Sequence, residues 1–472
     1  MTINTPVPTS PAAQDAPSLL RKMRNLWKHV WRDLRAYPHR DLTPLALKPF
    51  SFWPGQASAL VDAAGTTPPL VPGYAFHTEY VPSSGGRIRF NIRFSGLRAK
   101  RGTLVVAINR LDGQGVIADP KIKTVSLSDL TRRNGEMRIS MRGGLGFSYA
   151  VTGTVSDDAD ARADSIAIDV VGGESSEALH GRFEAARRDF LAAPGSGVLA
   201  PVILQRRATL TEPISQMCTA GQMDEPLYGQ WCERIGQAPL RHRKQWEFVF
   251  ICRALEYYGA LQNGKRGLGF GVGIEPLAST FAAAGCSIVA TDLAADDDRA
   301  KAWNNTDQLG ANLRQIYHPN LCDETSFFDR VSFRQVDMNA IPTDLAGFDF
   351  TWSSCAYEHL GSIQAGLDFF ENSLGCLRPG GIAVHTTELN LSSNTDTLDD
   401  GATVIFRRRD FEALATRLIR QGHEVIPITF DCGDTELDRV IDLPPYSNDA
   451  HLRLALLRWV ATSFGMIVRK KV

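Results

Sequence analysis

The 472-residue sequence has no apolar run near the roughly 18 residues that a membrane-spanning helix needs. It has no excess of either charge, since 51 Lys and Arg stand against 52 Asp and Glu. A general nucleic-acid binder usually carries a basic excess, so this balance disfavours DNA or RNA as the main partner. The opening MTINTPVPTSPAAQDAPS has neither the charged nor the apolar region of a secretory signal. Together these absences predict a soluble, cytoplasmic protein.

The eight cysteines form no CxxC pair and follow no zinc-binding spacing. We therefore expect reduced thiols that are mostly buried, as is usual for cysteines in a reducing compartment. With 43% hydrophobic and 22% charged residues, the chain has the composition of a globular protein rather than a disordered or fibrous one.

Hydrophobic periodicity and Pro/Gly punctuation divide the chain into five segments. They are a disordered tail (1–17), a basic amphipathic helix with a linker (18–73), a β-sandwich domain (74–173), a helical connector or cover (174–261) and an α/β domain (262–472).

The predicted helix at 18–37 has an apolar face and six Lys or Arg residues, with Asp33 as its one acidic residue. Such a helix suits peripheral contact with an anionic membrane surface or with a partner protein. It could equally pack on the rest of the chain with its basic face in solvent. The sequence leaves these alternatives, and the oligomeric state, open.

The β-sandwich is predicted from strict alternation, which begins at 87–94 with Ile88 and Phe90 on one side. Similar alternation recurs at 104–108, 137–141, 147–151 and 166–170, with Gly, Asp and Asn turns between the segments. Such a domain is typical either of glycan or ligand binding or of packing and oligomerisation, and a fold alone does not decide between them.

A short apolar strand then runs into a glycine-rich turn. Gly269, Gly271 and Gly273 let a ligand approach the backbone, and the following helix N-terminus faces that ligand. The next strand ends at Asp292, where a carboxylate can accept both ribose hydroxyl protons. This order predicts a nucleoside-containing cofactor.

Further motifs follow in order: Asp337-Met338 after one strand, Asp349 at the start of the next, and Leu377-Arg-Pro-Gly-Gly381 before another. With the glycine turn and Asp292, they resemble the class I S-adenosylmethionine-dependent methyltransferases over about residues 262–472. The resemblance implies a Rossmann-like α/β domain with a seven-stranded sheet, and S-adenosylmethionine as cofactor. The predicted cofactor-binding residues are Gly269, Gly271, Gly273, Glu275, Asp292, Asp337, Met338 and Ser353.

One departure concerns the acidic residue that the family usually carries shortly before its glycine turn. Gly267 or Gly269 occupies that place here. Glu275, just past the turn, could replace it as the contact to the cofactor's amino group, or it could stabilise the helix N-terminus.

Methyl transfer mainly requires alignment of the acceptor atom with the methyl carbon, and a hydroxyl acceptor also requires a base. His385 follows the fifth strand and is the predicted base, with Glu388 placing the substrate and His359 as a second catalytic candidate. The alternative is that either histidine merely orients a neighbour. No metal is predicted, because Glu358, His359, His385 and Glu388 do not have the spacing of a metal motif.

Two basic clusters, 241–244 and 407–409, could recognise an acidic acceptor or simply face solvent. Trp246 and Tyr257 are aromatic candidates for covering the cofactor, and the polar loop 390–401 suits hydroxyl recognition.

The sequence thus predicts a methyltransferase that acts on a sugar, glycan or other hydroxylated metabolite. One alternative is a non-catalytic scaffold that retains the fold and binds a glycan. Another is a nicotinamide-dependent oxidoreductase, since the glycine turn and Asp292 also fit a dinucleotide.

Overall fold

The computed structural model describes residues 43–62, 65–83, 85–112, 117–144, 147–192, 196–294, 312–444, 446 and 450–472. The predicted tail at 1–17 and basic helix at 18–37 lie outside these residues. The chain divides into two compact units. The N-terminal unit contains the described residues up to 111 and from 117 to 174, and the C-terminal unit contains those from 175 to 472. Within the described part, the helices are too short or too polar to cross a bilayer.

The N-terminal unit contains two larger antiparallel sheets. Its elements are β1 (Leu45–Leu47), β2 (Tyr74–His77), β3 (Val81–Pro82), β4 (Gly86–Ser95), β5 (Arg98–Arg101), β6 (Thr103–Asp112), β7 (Ile117–Ser126), α1 (Leu127–Arg132), β8 (Glu136–Gly143), β9 (Phe147–Val155), β10 (Asp160–Arg162) and β11 (Ser165–Val171). Strand order is β1-β11-β4-β8 in one larger sheet and β2-β9-β6-β7, with β3 beside β9, in the other; β5 and β10 form a separate pair. Both larger sheets contribute to one apolar core.

The C-terminal unit is built on one sheet with helices around it. Its elements are α2 (Ser176–Ala192), β12 (Gln216–Met217), α3 (Ala220–Met223), α4 (Pro226–Arg234), α5 (Arg243–Tyr257), β13 (Arg266–Phe270), α6 (Leu277–Ala283), β14 (Ser287–Asp292), α7 (Glu324–Arg330), β15 (Val331–Gln335), β16 (Phe348–Ser354), α8 (Ile363–Ser373), β17 (Leu377–Asn390), α9 (Arg408–Arg420), β18 (Glu424–Val425), β19 (Leu454–Leu456) and β20 (Trp459–Arg469).

Strand order in this sheet is β15-β14-β13-β16-β17-β20, with β12, β18 and β19 pairing with β20. Strands β13 to β17 are parallel, and β20 runs antiparallel to β17. The order reverses at β13, which lies between β14 and β16. In open α/β sheets ligands bind beyond the carboxyl ends of the strands at such a switch point, so the turn after β13 is where a ligand is expected.

Two predicted details differ from the structure. Over the described residues the sheet has nine strands rather than seven, because the short strands β12 and β19 also pair with β20. The predicted helical connector at 174–261 is interrupted, because its part between residues 213 and 236 forms β12, α3 and α4, and Pro226 occupies the first turn of α4. Proline there needs no backbone N–H donor and favours a new helix start, which separates α4 from α3.

Candidate functional site

A cavity of about 780 Å³ lies at the carboxyl ends of the parallel strands. This volume is in the range of small-molecule and cofactor sites. Its wall includes Lys244, Phe248, Gly271, Gly273, Glu275, Asp292, Asp337, Met338, Ser354, Cys355 and His359.

The glycine turn forms one wall of the cavity. Gly271 and Gly273 have φ angles of 57° and 52°, in the left-handed region that glycine adopts readily. A Cβ on Gly271 would lie 2.8 Å from the Cβ of Ala356. Gly269 is different: it lies inside β13, and a Cβ there would lie 2.3 Å from the Trp352 ring. Gly269 therefore permits strand packing and is not part of the cavity wall, which corrects its predicted cofactor role.

Asp292 ends β14 and joins it to the glycine turn. One carboxylate oxygen accepts from the Gly273 N–H at 3.0 Å and the other from the Leu293 N–H at 2.8 Å. Each oxygen of a carboxylate can accept more than one hydrogen bond. The side chain thus fixes the turn and can still accept from ligand hydroxyls.

Glu275 lies in the same wall, and the Trp352 indole N–H donates to its Oε1 at 3.0 Å. Burial raises the pKa of Glu275 to about 8. A ligand cation beside it would favour the ionised form. Asp337 accepts from the Asn339 N–H at 2.9 Å, and Met338 provides an apolar surface next to it.

Ser353 and His385 lie on the other face of the sheet, in the core. His385 is fully buried; its Nδ1 lies 2.8 Å from the Ser353 Oγ, and its Nε2 lies 3.3 Å from Thr351 Oγ1 and 3.2 Å from Ser373 Oγ. Burial lowers the pKa of His385 to about 3. A neutral imidazole enclosed in the core cannot reach an acceptor, so the predicted base role of His385 is wrong. The predicted cofactor contact of Ser353 is also wrong, because strand alternation turns Ser354 rather than Ser353 to the cavity side.

Glu388 is buried behind the cavity wall rather than in it. The Arg243 Nη1 lies 2.6 Å from its Oε1, and its Oε2 has no hydrogen-bond partner among the described residues. Burial raises the pKa of Glu388, although Arg243 opposes the shift. The predicted placement of substrate by Glu388 is therefore not supported.

Glu247, on α5, is a residue that sequence reasoning missed. Its carboxylate is fully buried and pairs with Lys244 Nζ at 3.2 Å and with Arg243 Nη1 at 3.4 Å. Burial opposes its ionisation, but Lys244 and Arg243 outweigh that effect and hold its pKa below the usual value. It also accepts from side chains on or directly after strands β16, β17 and β20: Ser354, Cys355, Thr386 and Ser463. Glu247 thus ties α5 to the edge of the sheet where the cavity lies.

His359 is the predicted catalytic residue that does line the cavity. Its Nδ1 lies 3.0 Å from the Ala402 carbonyl oxygen, which can only accept, so Nδ1 carries the proton in that bond. Its Nε2 is then the basic nitrogen and lies 3.8 Å from Glu358 Oε1. Burial lowers the pKa of His359 to about 4 and raises that of Glu358 to about 7. A neutral imidazole with a basic Nε2 can take a proton.

Cys355, Glu358 and Glu388 bring potential metal ligands within 4.8 Å of one another. Arg243 already supplies positive charge there, at 2.6 Å from Glu388 and 3.8 Å from the Cys355 Sγ. We therefore treat the group as part of the buried charge network around Glu247.

Trp246 and Tyr257, the aromatic residues predicted to cover the cofactor, are not in the cavity wall. Trp246 is buried and donates to Gln222 Oε1 at 2.8 Å, while Tyr257 is exposed and lies beside Arg253. Phe248 on α5 lines the cavity instead. Lys244 and Phe248 are four residues apart, so helical periodicity places them on one face of α5. This spacing was the signal in the sequence that could have indicated Phe248 as a cavity residue.

Cluster 407–409 does not face the cavity. Arg407 pairs with Asp410, Arg408 with Glu412, and Arg409 donates to the Thr395 carbonyl. These contacts stabilise the start of α9 and the loop before it. In the other cluster, Arg243 and Lys244 belong to the site, as partners of buried carboxylates.

No protein-family model matches this chain, and no curated protein is similar to it at a significant level. Solved structures do match. A 1,6-didemethyltoxoflavin-N1-methyltransferase from Burkholderia thailandensis is 13% identical over 46% of this chain and 75% of that one, with a TM-score of 0.28. An S-adenosylmethionine-dependent methyltransferase from Methanosarcina mazei is 13% identical over 46% of this chain and 96% of that one, with a TM-score of 0.30. Another, from Clostridium acetobutylicum, is 12% identical over 49% of this chain and 92% of that one, with a TM-score of 0.29. Similarity at this level says nothing of substrate.

Proposed function

We propose that this chain, whose C-terminal unit has the class I S-adenosylmethionine-dependent methyltransferase fold, transfers a methyl group from S-adenosylmethionine to a hydroxyl of a sugar, glycan or other hydroxylated metabolite. The charge of the cavity wall carries the proposal. Asp292 and Asp337 contribute two carboxylates there, and Glu275 contributes a buried carboxyl group that a bound cation would ionise. Lys244 contributes one ammonium, already paired with Glu247.

This wall suits a cofactor of net positive charge. S-adenosylmethionine carries a sulfonium and an ammonium against one carboxylate, whereas a nicotinamide dinucleotide carries a diphosphate. Like charges facing each other across a site are unfavourable. The wall therefore favours methyl transfer over the oxidoreductase alternative.

The residues present fit the cofactor group by group. Asp292 would accept from the ribose hydroxyls and Glu275 would pair with the ammonium. Met338 and Leu293 would pack against the base, beside Asp337. The glycine turn lets the cofactor approach the backbone closely, because Gly271 has no side chain. The space there is narrow, since even a Cβ on Gly271 would crowd Ala356.

On the acceptor side, the chain's own task is to align an oxygen and remove its proton. Bound S-adenosylmethionine would supply the electrophilic methyl group with its own leaving group. His359, with Nδ1 held by the Ala402 carbonyl, would take the hydroxyl proton at Nε2. Glu358 would then stabilise the resulting imidazolium from 3.8 Å.

The proposal also includes the predicted domain boundaries and cellular location. The two larger sheets of the N-terminal unit would form the β-sandwich predicted at 74–173, to which β1 (Leu45–Leu47), from the segment predicted as a linker, adds an edge strand. Residues 174–261 would form the connector and cover, and 262–472 the methyltransferase domain. The enzyme would act in the cytoplasm.

Calorimetric titration of the full chain with S-adenosylhomocysteine and, separately, with NAD⁺ tests the proposal. We expect S-adenosylhomocysteine to bind and NAD⁺ not to bind at the same concentration. Binding of NAD⁺ alone would support an oxidoreductase, and binding of neither would favour the non-catalytic scaffold; both results would overturn the proposal.

A further inference from the structure

Strands β4 and β8 of the N-terminal unit present a row of arginines on their outer face. Their apolar residues point to the core, while Arg87, Arg89, Arg138 and Arg142 are exposed. The antiparallel register places Arg87 directly opposite Arg142. Arg89 is diagonal to both Arg138 and Arg142, close enough for long side chains to interact. We call these four residues the arginine face.

Two acids lie near the arginine face: Asp169, diagonal to Arg89, and Glu136, two residues before Arg138 on the same side of β8. Neither forms an ion pair with the four arginines. At the far end of the same strands, Arg93 lies opposite Glu136 and its Nη2 is 3.6 Å from Asp169. Within the described part of the chain, none of the four face residues forms an ion pair. Like charges directly opposite each other weaken a strand pair, so a bound anion would stabilise this arrangement.

A small cavity of about 320 Å³ continues the face at the edge of β8. It is lined by Lys123, Val125, Arg133, Glu136, Met137 and Arg138. The Lys123 ammonium donates to the Arg138 carbonyl at 2.8 Å, which holds it beside the cavity. An anionic group there would meet three cations and one carboxylate.

We propose that the arginine face and this cavity dock an acidic polysaccharide through its carboxylates. All four face residues are arginine, whose planar fork matches a carboxylate with two hydrogen bonds, whereas lysine offers a point charge. Along a strand the charges repeat about every 6.6 Å, and across strands about every 5 Å, a lattice that suits a linear polymer with recurring charges. The outward positions of β4 and β8 carry no large apolar side chain that could enter a lipid surface. This binding function goes beyond methyl transfer and does not depend on it.

Binding of the full chain to polygalacturonate tests the proposal, with neutral dextran as the reference polymer, at about 50 and 200 mM salt. We expect binding to polygalacturonate, weaker at high salt, and at least tenfold weaker for Arg89→Ala/Arg138→Ala. A matched variant, Arg98→Ala/Arg132→Ala, removes two exposed arginines of the same unit that pair with Asp164 and Asp129. It should bind like wild type. Arg89→Lys/Arg138→Lys should bind several-fold more weakly than wild type, because it keeps the charge and loses the fork.

Three results would overturn the proposal: no binding of polygalacturonate by the wild type, equal loss in the Arg89/Arg138 and Arg98/Arg132 variants, or equal binding to dextran. Binding to vesicles of phosphatidylcholine and phosphatidylglycerol that the Lys variant retains in full, without binding to polygalacturonate, would assign the face to a membrane instead. Equal thermal midpoints of all variants would show that each is folded. The S-adenosylhomocysteine titration is independent of these outcomes.

Discussion

The two faces of strands β16 and β17 carry similar polar residues in opposite environments. On one face, Thr351 and Ser353 each hydrogen-bond to the His385 imidazole, which lies among aromatic rings. On the other, Trp352 and Ser354 donate to the carboxylates of Glu275 and Glu247 beside the cavity. The first face satisfies its own hydrogen bonds, and the second holds Glu275 in the wall of the cavity and Glu247 behind it. A polar residue near the carboxyl end of a strand thus indicates function only when its face is known.

Filling the cavity side should have the largest effect. Gly271→Val would add a β-branched side chain at a φ of 57° and beside Ala356, so we expect S-adenosylhomocysteine affinity to fall by more than about 100-fold. Calorimetry measures this, with Gly221→Val, where a Cβ meets nothing within 4 Å, as the control. Near-normal affinity in a folded Gly271→Val protein would show that the turn is not the ligand cradle.

Removing the cavity-side imidazole should reduce catalysis without reducing cofactor binding. We expect His359→Ala to lower kcat by about 10²–10⁴-fold, the usual contribution of a general base, and to leave S-adenosylhomocysteine affinity within a few-fold. The measurement is methyl transfer from radiolabelled S-adenosylmethionine to a panel of hydroxylated glycans. If His359→Ala turned over normally on an accepted glycan, alignment alone would explain the rate.

Breaking the charge network behind the cavity should cost stability. Glu247→Ala leaves Arg243 and Lys244 without their shared partner, and we expect a loss of about 3–5 kcal/mol in unfolding free energy. Glu256→Ala, on the same helix, removes an exposed partner of Arg234 and Arg253 and should cost about 1 kcal/mol or less. Urea denaturation of both variants measures the two losses. Equal losses of unfolding free energy would contradict the role of Glu247 as the shared buried partner of Arg243 and Lys244.

The core-side histidine should give the smallest effect, one that depends on pH. Because the folded-state pKa of His385, about 3, is below the ordinary 6.5, the folded protein disfavours its protonation. Its contribution to stability is full above pH 6.5 and is lost as pH falls toward 3, by about 1.4 kcal/mol per pH unit. The unfolding free energies of wild type and His385→Gln should therefore converge between pH 6.5 and 5. A difference that stays constant with pH would mean that the imidazole is not held neutral.

The sequence located those parts of the structure whose signal is local. Strict alternation correctly placed Ile88 and Phe90 on the buried side of β4, and the alternating strands and helices after residue 262 form a mainly parallel sheet as expected. His385 was misplaced because β17 is buried on both faces near its carboxyl end, so its residues show no alternation from which a face could be predicted. Glu247 could not be found, because its partners on β16, β17 and β20 lie 107 to 216 positions away along the chain.

Asp292 has two properties on which the proposed site depends: it fixes the glycine turn, and it lies in the wall that we propose contacts the cofactor. The most direct test is the dissociation constant of S-adenosylhomocysteine for wild type, Asp292→Ala and Asp344→Ala, the last an exposed aspartate paired only with Arg334 among the described residues. We predict at least a tenfold loss for Asp292→Ala, since charge-assisted hydrogen bonds contribute about 1.5–3 kcal/mol each, and none for Asp344→Ala. Equal affinity of Asp292→Ala and wild type would contradict the proposed site.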